Sequence, residues 1–179
     1  MRRTLLVLLV VLPAAGMAAS EDSLSQTVDA YLGSIDTPIP DARWKALGPE
    51  AGPLLASIAT GDGLPSRRAR ALHGLSIVAP DRAAPIARAY ARSAAEPLVI
   101  RSAAVRVVAR TLPASEAVIV LRPVLSSASA PLQKRTAEAL ATLGAPGCSA
   151  LSAHTAPLAA DARAPFAQAL ARCQGSDVR

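Results

Sequence analysis

The chain has 179 residues and is 51% hydrophobic, but only 2% of its residues are aromatic. That length suits one ordinary domain, and a filling of Ala, Leu and Val favours closely packed helices over a bulky core. The formal net charge of +6 is modest, and few aromatic side chains are present to stack on bases. The composition therefore does not favour a nucleic-acid-binding protein.

The N-terminus has the organisation of a secretory signal peptide. Arg2 and Arg3 precede an unbroken apolar run at 5–12, and small residues follow it. We predict cleavage after Ala19, with Ala18 as the alternative site. The mature chain would then be exported to the periplasm or secreted, with a net charge of +4 instead of +6. The alternative is an uncleaved segment that keeps the protein in contact with the membrane, although a spanning helix needs about 20 apolar residues.

A short amphipathic helix is predicted next, over residues 21–32. Its apolar residues Leu24, Val28 and Tyr31 recur at helical spacing, so one face can pack against the following chain. We interpret this helix and the Pro-rich link after it as an N-terminal cap at 20–40.

Four prolines recur at a nearly constant interval through the rest of the chain. Pro49, Pro80, Pro113 and Pro146 are separated by 31, 33 and 33 residues, and each lies between two helix-like apolar segments. A period in the thirties with a turn inside each unit is typical of stacked helical repeats. We therefore predict an all-α fold over 41–173, an α-solenoid of about four antiparallel helix pairs with terminal capping helices. The alternative is an irregular helical bundle with accidental proline spacing.

The fourth unit carries the clearest repeat motif. The segment 135–146 resembles the Arg-x-x-Ala-x-x-Ala-Leu-x-x-Leu-Gly-x-Pro pattern of HEAT repeats, and Leu47-Gly48-Pro49 repeats its turn. The third unit departs from the pattern, because no glycine precedes Pro113. The resemblance implies a solenoid whose second helices line a concave face. It implies no single function, since HEAT-like repeats serve many roles, including lyase and maturation proteins that act on tetrapyrroles.

The two cysteines lie near the C-terminal end of the predicted repeats. Ala162–Cys173 is predicted to form a last helix, and Cys148 begins the second helix of the fourth unit. If these helices are antiparallel neighbours, a turn at 159–162 brings the thiols together. In an exported protein such a pair usually forms a disulfide. A redox or metal site is the alternative, but the spacing is not Cys-x-x-Cys. A flexible tail is predicted at 174–179.

Motifs for catalysis or cofactor binding are absent from the sequence. We find no His-Glu-x-x-His zinc motif, no glycine-rich phosphate loop and no calcium loop, and we predict no catalytic residue, cofactor or metal. His73 is interpreted as a partly buried packing residue, and His154 as a cap at a helix C-terminus. A cleft that holds either histidine beside an acid would favour the competing hypothesis, an accessory subunit or lyase-like enzyme.

The second helices carry a set of arginines that could bind a partner. Arg82, Arg88 and Arg92 fall in the second unit and Arg122 in the third, and Arg88 and Arg92 share a helix face because they are four residues apart. On a concave face they would suit an acidic partner, such as a protein patch, a polyanionic glycan or a phospholipid headgroup. The alternative is a solvated face paired with acids on the same unit. Asp81 and Glu96 are the acids in question.

The function predicted from the sequence is a non-catalytic binding or scaffolding module of the cell envelope or secreted space. Its partner would be a protein, and it would use the second-helix face. A structural envelope component held by an uncleaved anchor is a further alternative. The sequence does not identify the partner.

Overall fold

The computed structural model describes residues 18–34 and 37–176, and this part of the chain is all-helical, with no β-strand. The all-α class predicted from the sequence is therefore confirmed. Two 3-10 segments, Arg122–Ser126 and Asp161–Phe166, lie after α7 and before α10. The α-helices of the described residues are, in order, α1 (Ala18–Gly33), α2 (Asp41–Ala46), α3 (Ala51–Thr60), α4 (Pro65–Val78), α5 (Pro80–Arg92), α6 (Leu98–Thr111), α7 (Ala114–Leu121), α8 (Ala130–Ala141), α9 (Ala145–Thr155) and α10 (Ala167–Ser176).

The first and last predicted segments lie partly outside the described residues. These parts are residues 1–17 of the predicted signal peptide and 177–179 of the predicted tail. At the C-terminal end, α10 continues to Ser176, so the first part of the predicted flexible tail is helical. Within 18–34 and 37–176, none of the helices has both the length and the apolar character that crossing a membrane requires.

The four prolines lie at the turns between the two helices of each unit, as their spacing predicts. Pro49 lies between α2 and α3, Pro80 begins α5, Pro113 directly precedes α7, and Pro146 is the second residue of α9. Proline suits the start of a helix because the amide hydrogen that it lacks would have no partner there. The prolines therefore end one helix and begin the next.

Two backbone geometries make these turns. Gly48 and Gly144 have positive φ angles of 75° and 68°, which glycine adopts without the strain of a side chain. Ala79 and Leu112 instead have φ angles of −147° and −100°. Each of them precedes a proline, and the proline ring favours extended backbone in the residue before it. The third unit therefore makes its turn without the glycine of the motif.

The helices contact one another in two rows. The first-helix row consists of α2, α4, α6, α8 and α10, and the second-helix row consists of α3, α5, α7 and α9. Each helix of the second row also contacts at least one helix of the first row. The contacts of α6 with α4 and α8 are more extensive than any within the second-helix row. The first-helix row is therefore the more closely packed of the two.

Small side chains lie where the helices approach. Ala83, Ala87 and Ala91 of α5 are fully buried at four-residue spacing. Small residues at a contact let the helix axes come close. The backbones then make dispersion contacts that larger side chains would otherwise make. The largest buried side chains are Trp44 and Phe166, together with a set of leucines.

The predicted N-terminal cap packs against the end of both rows. Val28 and Leu32 of α1 are buried, and α1 contacts α3 and α4. Two arginines of α4 hold it in place: Arg67 forms an ion pair with Asp29, and Arg70 donates a hydrogen bond of 3.0 Å to the Leu32 carbonyl. The apolar face of α1, which its helical spacing predicts to pack inward, is therefore the buried face.

A partly buried polar network joins α3, α4 and α5. Arg68 donates hydrogen bonds to the Ala59 carbonyl at 3.2 Å, to the Tyr90 hydroxyl at 3.1 Å and to Glu96 at 3.2 Å. Its guanidinium also lies 5.5 Å from the centre of the Tyr90 ring, within the range of a cation–π interaction. These bonds offset the cost of removing the Arg68 charge from water.

The last part of the chain folds as predicted, except at its start. The predicted helix Ala162–Cys173 begins as a 3-10 segment, and α-helix starts only at Ala167. Pro165 accounts for the difference, because its ring obstructs an α-helical turn and it has no amide hydrogen to donate. Phe166 is buried.

Cys148 of α9 and Cys173 of α10 are joined by a disulfide, with 2.02 Å between the sulfur atoms. This is the pairing predicted from the sequence, and it fits an oxidising, exported environment. The bond closes a loop with a sequence separation of 25 residues. It therefore links α10 covalently to the helix that contacts it.

We expect the Cys148→Ser, Cys173→Ser double variant to lose about 3 kcal/mol of unfolding free energy, because the cross-link limits the unfolded chain. Urea denaturation measures the loss, and hydrogen exchange should show the largest loss of protection in α10. Reducing agent added to the wild-type protein should reproduce both changes. Equal denaturation midpoints with and without the bond would contradict this account.

Candidate functional site

The arginines predicted to bind a partner lie on the second-helix row, where they connect its helices. Arg88 of α5 forms an ion pair with Glu116 of α7, and Arg92 donates to the Ile119 carbonyl at 3.2 Å. The alternative pairing with Asp81 and Glu96 is wrong, because Arg88 binds Glu116 and Glu96 binds Arg68. Arg88 and Arg92 are therefore already engaged, although both side chains remain exposed.

The structure does not bring all four of these arginines together. Arg88 and Arg92 line a depression of about 550 Å³ on α5. Arg122 lines a separate depression of about 370 Å³ with His154, and Arg82 lines neither of the two. His154 packs edge-on against Phe166, with 5.4 Å between ring centres, which indicates a packing role.

A second group of cationic side chains lies on the first-helix row, and our sequence analysis missed it. Two neighbouring clefts share Arg106 of α6. The Trp44 cleft, of about 520 Å³, is lined by residues of α1, α2, α4 and α6, and the Arg172 cleft, of about 330 Å³, by residues of α6, α8 and α10. The cationic or imidazole side chains of the two clefts are Arg70, His73, Arg106, Arg110, Arg135 and Arg172.

Asp41 connects three helices on this face. Arg110 of α6 donates to one carboxylate oxygen at 2.8 Å, and His73 Nε2 of α4 lies 3.6 Å from the other. The hydrogen bond from Arg110 lowers the pKa of the Asp41 carboxyl. Asp41 is the first residue of α2, so one carboxylate links α2, α4 and α6.

The ion pair between Asp41 and Arg110 passes over α4. With helix axes about 8–10 Å apart, α2 and α6 on either side of α4 would be separated by about 16–20 Å in a flat row. The Arg110 side chain spans this gap and meets the Asp41 carboxylate at 2.8 Å. The ion pair therefore joins two helices that are not adjacent in the first-helix row.

His73 is half-buried in the Trp44 cleft. Its ring packs edge-on against Trp44, with 6.4 Å between ring centres. Burial and the positive charges of Arg110 and Arg106 lower the pKa of His73, and the negative charge of Asp41 only partly offsets this. The imidazole is therefore neutral at neutral pH. The interpretation as a partly buried packing residue fits this position.

Arg106 has neither a hydrogen bond nor an ion pair to any described residue, unlike Arg110 and Arg135. Arg106 is exposed by its accessible surface, but desolvation by the surrounding residues and the nearby charges of Arg135 and Arg110 lower its pKa. Among the described residues, no carboxylate pairs directly with Arg106. An anion at this position would reduce the repulsion among the arginines.

Trp44 lines the Trp44 cleft and is almost completely buried. It is 2% exposed, the Tyr31 ring packs edge-on against it at 5.3 Å, and its indole Nε1 has no hydrogen-bond partner within the described residues. Gly74 allows this packing, because a Cβ atom there would lie 2.6 Å from two atoms of the indole ring. The absence of a side chain at residue 74 therefore makes room for Trp44.

We expect Gly74→Ala to destabilise the protein by about 1–3 kcal/mol, since the added methyl group must displace the Trp44 ring. Thermal unfolding followed by circular dichroism measures the change. Gly63→Ala is the matched control, because nothing lies within 4 Å of a Cβ atom there. Equal melting temperatures for the two variants would show that Trp44 can move at little cost.

The lowered pKa of His73 predicts how stability depends on pH. The unfolded chain binds a proton at His73 more readily than the folded protein does, so stability falls as pH drops below the unfolded value of about 6.5. Asp41, Arg106 and Arg110, which face the imidazole, remain charged in this range. Urea midpoints at pH 7 and pH 5 should therefore differ less in His73→Gln than in the wild type. An equal drop in both proteins would rule out His73 as the source.

Comparisons with protein-family models, curated proteins and solved structures found no match for the chain. The resemblance to HEAT repeats therefore rests on the motif at 135–146 and on the proline spacing. Within the described residues, no group of three or more His, Cys, Asp or Glu side chains is placed to hold a metal ion.

Proposed function

We propose that the chain is a non-catalytic binding module that is exported to the periplasm or secreted and that captures an acidic protein partner. Its helices would form a HEAT-like α-solenoid of about four antiparallel pairs, with α1 and α10 as terminal caps. The two rows of helix contacts and the proline turns support this architecture. The disulfide supports the export.

The observation that carries the proposal is Arg106 on the first-helix row, which has no ion-pair partner among the described residues and lies near the charges of Arg110 and Arg135. The resemblance to HEAT repeats favours the second-helix face, but Arg88 and Arg92 on that face already bind groups of α7. The first-helix face has the two clefts and the closer packing. We therefore place the partner on the first-helix face, where positive potential would also speed association.

Charge reversal on each face tests the proposal. We expect Arg106→Glu with Arg172→Glu to abolish capture of the partner from an envelope extract, and Arg82→Glu with Arg122→Glu to leave it intact. Both double variants change the net charge equally, and quantitative mass spectrometry measures the captured protein. Loss of capture only in the Arg82→Glu, Arg122→Glu variant would place the binding site on the second-helix face. Equal capture by all three proteins would overturn an electrostatic binding role.

The proposed export predicts the N-terminus of the mature protein. Mass spectrometry of the exported fraction should find a chain that begins at Ser20, because cleavage is expected after Ala19. An intact Met1 would instead favour the structural envelope component held by an uncleaved anchor.

One observation favours the competing enzyme hypothesis. His73 lies in a cleft with a carboxylate oxygen of Asp41 3.6 Å away, and a neutral imidazole oriented by an acid can act as a general base. Arg110 binds the other oxygen of the same carboxylate, which favours a structural role for the pair. Turnover in a panel of hydrolase and lyase substrates that disappears in His73→Gln would support the enzyme.

A further inference from the structure

We propose that the Trp44 cleft binds a small amphiphilic carboxylate, an aliphatic chain that ends in a single carboxylate group. This site would share Arg106 with the proposed protein-binding face, but binding of the small molecule does not depend on a protein partner. The volume of about 520 Å³ falls within the range of small-molecule sites, about 300–1,000 Å³.

The apolar part of the cleft suits an aliphatic chain. Trp44 and Ala69 are buried in its wall, and Ile39 and Tyr31 are half-buried beside them. Val99, which also lines the cleft, is 45% exposed, one of the few large apolar side chains of the described residues that are left open to solvent. A ligand in the cleft would remove this apolar surface from water.

The cationic side of the cleft offers one position for a carboxylate. Arg70 donates a hydrogen bond to the Leu32 carbonyl at 3.0 Å, and Arg110, which lines the neighbouring Arg172 cleft, donates to Asp41 at 2.8 Å. Arg106 has no such partner, and a guanidinium binds a carboxylate through two parallel hydrogen bonds. A carboxylate on Arg106 would therefore satisfy a charged donor that the described residues leave without an acceptor.

The charges around the cleft favour one negative charge over several. Asp41 lies 3.6 Å from His73 Nε2, so its carboxylate would repel a second anionic group on that side. His73 itself carries no positive charge at neutral pH, because burial and the neighbouring arginines lower its pKa. A polyphosphate or a dicarboxylate would therefore find fewer partners here than a monocarboxylate.

Titration of the full mature protein with decanoate tests the site. Trp44 is the only tryptophan of the chain, so its indole N–H gives a single, identifiable signal in a nitrogen–proton NMR spectrum. We expect decanoate to shift this signal in a saturable way below its micelle concentration, and calorimetry to give the dissociation constant. Decanol, which has the chain without the charge, should bind at least ten-fold more weakly, and acetate should not shift the signal.

Two exposed variants separate the site from general effects on the fold. Arg106→Ala should weaken decanoate binding at least ten-fold, and Arg122→Ala, which removes the same charge on the second-helix row, should not change it. Saturable binding that is equal for decanoate and decanol, or equal in wild type and Arg106→Ala, would overturn the carboxylate site. An indole signal that does not move would overturn the location. Decanoate binding by a wild-type protein that captures no partner from the envelope extract would disprove only the proposed protein partner.

Discussion

The structure depends on the close approach of helices whose contacts are made by small side chains. The buried stripe of Ala83, Ala87 and Ala91 shows this best, because each alanine lies one helical turn from the next on the inner face of α5. Larger residues at such positions would separate the rows and cost stability. The two large aromatic residues of the core, Trp44 and Phe166, lie instead near opposite ends of the rows, in α2 and just before α10.

The arginines of this chain have three different roles that a sequence cannot distinguish. Arg68 is partly buried and satisfied by Tyr90 and Glu96, and Arg88 connects two successive helices of the second row. Arg106 has no partner among the described residues, and repulsion from Arg110 and Arg135 acts on it. The difference lies in which carboxylates the fold brings near each guanidinium. A count of basic residues on predicted helices therefore overestimates the charge that is available for binding.

The features that were predicted correctly depend on local or regularly repeated signals. Proline spacing gave the turns, apolar periodicity gave the inner face of α1, and antiparallel neighbours gave the pairing of Cys148 with Cys173. The Trp44 cleft was missed because residues far apart in sequence line it, from Tyr31 of α1 to Arg106 of α6. Which helices become neighbours across a row is decided by packing, and the apolar pattern of a single helix does not encode it.

The position of the disulfide has a consequence for the order in which the chain folds. Most helix contacts join neighbours one or two places along the chain, so each unit can pack as soon as the next has been synthesised. Cys173 follows α1 to α9, and Cys148 cannot form its bond until α10 has also emerged. Oxidation of the pair is thus a late step, and a chain interrupted before α10 would carry a free thiol. Such a thiol would chemically distinguish incomplete chains from finished ones.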